Sequence, residues 1–139
     1  MKFSKVMGIF VATGMLMGGG TMASAGDVCK NVKFQFKNER PVRIKVDKIT
    51  YFNTVNHRTQ TEDVNVECNA GATCTTSGQD LRDSEGVKLK DFVFHFYDRE
   101  SDGDWSKTSR KTQEKEPVEQ ICRADREYSG NPLWTINPG

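Results

Sequence analysis

The run Asp98-Arg99-Glu100-Ser101-Asp102-Gly103-Asp104 is the densest cluster of hard-cation ligands in the chain. Acids at alternate positions followed by glycine match the opening of an EF-hand calcium loop, where carboxylate oxygens wrap the ion. The match then stops. Ser109 stands where a bidentate glutamate is needed, and Arg99 places a positive charge inside the loop. Asp98, Glu100, Asp102 and Asp104 are the set this turn would offer, with calcium as the cofactor. No other cofactor is suggested.

The histidines offer a second chemistry. His95 lies between Phe94 and Phe96, and His57 lies in the turn-like stretch Val55-Asn56-His57-Arg58-Thr59. Either would serve as a general base if a carboxylate such as Glu62 or Glu67 met it in space. That arrangement would make a small secreted hydrolase. No G-x-S-x-G, H-E-x-x-H or P-loop occurs to strengthen this reading. The aromatics offer a third. Trp105, Trp134 and Tyr97, with His95, could form a patch that stacks on sugars or anchors a protein.

The four cysteines are Cys29, Cys68, Cys74 and Cys122. An even number in a short exported chain argues for disulfides. The preferred pairing is Cys68–Cys74 around a small flexible loop, with Cys29–Cys122 tying the first strand to a late element. The spacing lacks the C-x-x-C knuckle of structural zinc sites.

These residues need elements to hold them. The stretch from Val87 to Trp105 carries the longest regular apolar pattern. Phe92, Phe94 and Phe96 alternate with Val93, His95 and Tyr97, which is the period of a strand with one face in the core. Val87 and Leu89 are out of phase with the Phe column, so a β-bulge is expected near Lys90 or Asp91. Asp-Gly at 102–103 predicts a hairpin, with residues 105–112 as the return strand. Val32, Phe34 and Phe36 define a first strand. Val42, Ile44 and Val46 define a second, which continues through Ile49 and Tyr51 past a bulge at Asp47–Lys48. Residues 58–67 read as a polar edge strand. Residues 77–86 read as a long loop anchored by Leu81, and Leu133 to Ile136 as a last strand. Between 117 and 128, Pro117 with Val118, Ile121 and Cys122 fits a short helix as well as a strand.

The fold class expected is therefore all-β and mainly antiparallel: a small disulfide-stapled β-sandwich, with a short helix near residues 117–128 as an open alternative. The segment FHFYDRESDGDW resembles the calcium-loop region of C2 domains, where a core strand runs into clustered aspartates. That resemblance implies a calcium-binding sandwich, but Asp98-Arg99-Glu100 replaces the usual D-x-D.

The first residues set the compartment. Lys2 and Lys5 precede an apolar stretch from Val6 to Leu16, and Ala23-Ser24-Ala25 follows. This is a secretory signal pattern, with cleavage expected after Ala25. Residues 26–139 would then form one domain. Lys2 and Lys5 leave with the leader, so the chain's 20 Lys and Arg fall by two against 19 Asp and Glu. A mature charge of one negative gives no footprint for nucleic acid. The expectation is an exported, periplasmic or secreted, non-enzymatic binding or inhibitor module whose partner is a protein or glycan. The alternatives are a secreted membrane-acting effector assisted by calcium, and the small hydrolase.

Overall fold

The computed structural model describes residues 27–112, 119–129 and 134–137. The segment expected to be a signal peptide lies outside the described residues, as do Pro117, Val118 and Leu133. Among the described residues ten strands follow one another: β1 (Cys29–Asn38), β2 (Ile44–Asn53), β3 (Arg58–Cys68), β4 (Thr73–Thr75), β5 (Gln79–Leu81), β6 (Lys88–Asp98), β7 (Arg110–Lys111), β8 (Gln120–Ile121), β9 (Glu127–Tyr128) and β10 (Trp134–Ile136). They make two sheets in a sandwich-like arrangement. The larger is ordered β3-β2-β6-β7, with β8 also on β6. The smaller is gathered around β1, which pairs with β4 and β5 antiparallel and with β9 and β10 parallel.

The core lies where β1 faces β6. Phe34 and Phe36 of β1 meet Phe92 and Phe94 of β6 at ring-centroid distances of 5.8 and 5.3 Å. Trp134 of β10 fills the space between them, 4.8 Å from Phe92 and 5.4 Å from Phe94. These tilted contacts suit the quadrupoles of the rings, and each buried aromatic removes on the order of 150–250 Å² from water. Trp134 is buried, so it is a core residue and is withdrawn from the binding patch expected of it.

The alternation of β6 is as its sequence implies. Phe92, Phe94 and Phe96 are buried, while Val93, His95 and Tyr97 are half-buried on the other face. The phase jump is a bulge. Thr50 pairs with Val93 but Phe52 pairs with Lys90, leaving Asp91 as the extra residue. Asp91 takes a left-handed φ of 55°, which aspartate tolerates better than most residues. The bulge brings Leu89 onto the same buried side as the Phe column. A second irregularity falls between Val46 and Lys48 of β2, where its phase also shifts.

One open alternative is decided and two expectations are corrected. Residues 119–129 hold no helix. β8 and β9 occupy them, joined through a turn in which Asp125 has a φ of 59°. The helical spacing of Ile121 and Cys122 gives way to pairing, β8 with β6 and β9 with β1. The segment 77–86 is not wholly loop, because β5 pairs with β1 and delivers the buried Leu81. The return strand of the hairpin shortens to β7, with a single bridge between Arg99 and Trp105 nearer the turn.

Both expected disulfides are present, Cys29–Cys122 and Cys68–Cys74. Each crosses between the sheets. Cys29 begins β1 and Cys122 follows β8 of the larger sheet, while Cys68 ends β3 of the larger sheet and Cys74 lies in β4 of the smaller. The two bonds therefore staple the layers near opposite ends of β1.

Candidate functional site

Asp98 keeps the inward phase of Phe92, Phe94 and Phe96, so it points to the interior rather than into the turn. Its carboxylate accepts hydrogen bonds from Arg40 Nε at 2.6 Å and Arg40 Nη2 at 2.8 Å. Arg110 Nε lies 3.0 Å from the second oxygen. A buried acid requires a charge partner, and the turn after β1 supplies it in Arg40. Arg40 also donates to the carbonyl of Asn137 and lies over the Phe96 ring. Both oxygens of Asp98 are thus engaged by guanidinium groups, which removes it from the expected calcium set. Glu100, Asp102 and Asp104 remain in the exposed turn, closed by Glu100 N–H to Asp104 O at 2.7 Å and Asp104 N–H to Asp102 Oδ1 at 2.9 Å. Among the described residues, no three His, Cys, Asp or Glu are placed to hold a metal ion.

Among the described residues, neither histidine forms a hydrogen bond or ion pair with a carboxylate, although Asp47 lies near enough to His95 to act on its charge. His95 Nε2 lies 3.3 Å from Thr50 Oγ1, and His57 packs against Phe52. Glu67 is held by Arg43, and Glu62 accepts from Tyr51 Oη. Burial raises the Tyr51 phenol well above its usual range and raises Glu62 as well. This pair belongs to a polar junction in which Gln60 Nε2 donates to Arg82 O and Asn53 Nδ2 donates to Asp83 O. It fastens the loop after β5 to β2 and β3.

His95, Tyr97 and Trp105 do come together, on the outer face of the larger sheet. Strand register sets them out in rows. Arg99 bridges Trp105, Lys45 pairs with Tyr97, and Lys48 and Lys111 flank His95 on its two sides. Thr50 then pairs with Val93, and Phe52 with Lys90. Lys45 Nζ lies over two rings, 5.8 Å from Tyr97 and 5.1 Å from Trp105. Arg99 lies 5.0 Å from Trp105, and Lys90 lies 5.7 Å from Phe52. Cation–π contacts of this kind contribute about 0.5–1 kcal/mol each at exposed positions, enough to favour one placement of a long side chain.

Cations and acids stand side by side on this face, with Lys45 opposite Glu67 and Lys48 opposite Asp63. Lys45, Lys48, Lys90, Arg99 and Lys111 form no ion pair with a carboxylate among the described residues. Of the nearby acids, Glu67 is taken by Arg43, Asp63 sits across from Lys48, and Asp47 lies in the β2 irregularity. His95 registers the result. Burial lowers its pKa from the usual histidine value, and Lys48 and Lys111 lower it further against a smaller opposing effect of Asp47. Sequence reasoning missed Lys45 and Arg99 because the signal lies across strands. It becomes visible only once Lys45 is set opposite Tyr97.

Comparison of the chain with family models, with curated proteins and with solved structures finds no match in any of the three.

Proposed function

We propose that the protein is an exported binding module that docks a protein partner on the outer face of its larger sheet. One observation carries this: Tyr97, Lys45, Trp105 and Arg99 interlock on that face, half-exposed or exposed. Tryptophan, tyrosine and arginine are the types that dominate protein–protein hot spots. Here they are held in place before any partner arrives, which lowers the ordering cost of association. A protein fits this face better than a glycan. The ring a sugar would stack on, Trp105, already carries Lys45 and Arg99 over it. The two sheet-crossing disulfides support a life in an oxidising compartment, and the leader pattern of the first 25 residues supports export through a cleaved signal.

Site-specific photo-crosslinking tests the proposal. With p-benzoylphenylalanine in place of Tyr97, irradiation in the host envelope should give a discrete protein adduct. The same group in place of Lys33, on the outside of the smaller sheet, should not. Adducts from Lys33 alone, or none from Tyr97, would reject the assignment of the face.

A further inference from the structure

The irregularity of β2 lies beside His95 on the outer face of the larger sheet. We infer that it is an acid-operated latch: when His95 takes up a proton, its ring donates a hydrogen bond to the Asp47 carboxylate and fixes the β2 backbone between Lys45 and Lys48. The latch belongs to the free protein and stands apart from the docking reading.

Three observations carry the inference. Val46 pairs with Phe96 and Lys48 with His95, so Asp47 is the extra residue of β2 at this point. A bulge of this kind re-aims a side chain that regular pairing would fix. Asp47 Oδ1 is buried and accepts no hydrogen bond among the described residues. A buried acceptor without a donor is costly, and few are retained in a folded chain. His95 Nε2 lies 3.3 Å from Thr50 Oγ1, which accounts for one ring nitrogen. Neutral imidazole has one donor and one acceptor, whereas the imidazolium has two donors. The N–H gained on protonation therefore needs an acceptor. The charged groups that act on His95 are Asp47 and Lys48 from β2 and Lys111 from β7. On β3, Asp63 pairs with Lys48, and Lys45 and Tyr97 form the next row. Within this set Asp47 combines nearness to the ring with an unused acceptor. Lys48 and Lys111 stand in register on either side of His95 and oppose its protonation. A carboxylate drawn onto the imidazolium offsets that repulsion. The latch is thus open at neutral pH and closes below the ordinary histidine value of about 6.5, because burial and the two lysines delay protonation.

NMR of the mature disulfide-bonded protein tests the latch, over a range from about pH 8 to about pH 4 that brackets the histidine and carboxylate titrations. The His95 ring and the Asp47 Cγ signal should bend at one shared midpoint. A nuclear Overhauser contact between the His95 ring and the Asp47 methylene should appear only below it. Asp47→Asn should lower the His95 midpoint by about half a pH unit or more, since the charged acceptor is gone. Asp47→Glu should restore part of that loss, and Lys48→Gln should raise the midpoint. A melting transition like that of the wild type shows that each variant folds. If Asp47→Asn does not fold, the wild-type Asp47 Cγ titration and the ring contact decide. An unchanged His95 midpoint in Asp47→Asn would overturn the inference. So would an Asp47 Cγ signal with no inflection at the His95 midpoint, or a ring contact equal at both ends of the titration. A lowered midpoint without the acid-dependent contact would reduce the effect to distant charge and would overturn the latch as well. Failure of the Tyr97 crosslink would remove the docking face and leave the latch standing.

Discussion

At the scale of single residues, Asp98 shows how parity decides chemistry. In sequence it opens an acidic run, yet it shares the even phase of the three phenylalanines and is drawn inward to Arg40. Removing it would take from the buried Arg40 the carboxylate that accepts from its Nε and Nη2. Asp98→Ala should therefore cost about 3–5 kcal/mol of unfolding free energy, the usual penalty for breaking a buried pair. Arg110→Ala should cost under about 1 kcal/mol, since the Arg110 side chain is largely exposed. Urea denaturation of the two variants checks both. His95 makes a prediction in pH. Its folded pKa is depressed, so in mildly acidic solution the unfolded chain holds more protons at this site than the folded chain. The associated stability is complete above the unfolded histidine value of about 6.5 and is lost as pH falls through the folded pKa. His95→Gln should flatten that part of the stability-versus-pH curve. An unchanged slope would show that His95 is not responsible for it.

At the scale of elements, the bulge at Asp91 decides which face of β6 meets the core. The extra residue lets Leu89 and Phe92 share one side despite their odd separation. Deleting Asp91 would force a one-residue register slip, which turns one of the two apolar sets outward. That deletion should abolish cooperative folding. Asp91→Gly should be tolerated, because glycine adopts a left-handed φ without penalty, and Asp91→Val should cost about 1–2 kcal/mol. Calorimetry of the three variants separates these outcomes. Gly78 matters for a different reason, since a Cβ there would overlap the Asn31 carboxamide. The bulge was legible in the sequence because a run of phenylalanines fixes one phase and Val87 with Leu89 fixes the other. β5, β8 and β9 were not. Each is two or three residues long and takes its extended form from a neighbour, β1 or β6, that lies far away in the chain. Local propensity is silent about such pairings. The site was legible in its residue types, Tyr97, His95 and Trp105, and hidden in its assembly. Trp134 reads like Trp105 in one dimension, and only the position of β10 beside β1 sends it into the core.

At the scale of the whole molecule, two sheets meet through an aromatic core and are stapled by two disulfides. On the chain-entropy account, the bridge across 93 residues contributes about 4–5 kcal/mol and the bridge across 6 residues roughly 2 kcal/mol. Replacing Cys29 and Cys122 with alanine should therefore lower stability about twice as much as replacing Cys68 and Cys74, as read by urea unfolding under oxidising conditions. A reversed order would show that the short bridge holds the sheets against a strain that loop length does not describe. The frame leaves the larger sheet's outer face exposing Lys45, Tyr97, Arg99 and Trp105 in mutual contact, and the proposed partner docks there. Lysine footprinting addresses this claim most directly. The mature protein is treated with an amine-reactive reagent in the presence and absence of its partner-containing envelope fraction, and labelling is read lysine by lysine. Lys45, Lys48 and Lys111 should be protected, with Lys33 and Lys37 on the smaller sheet labelled equally in both samples. Uniform labelling of all five, or protection of Lys33 and Lys37 instead, would contradict the claim.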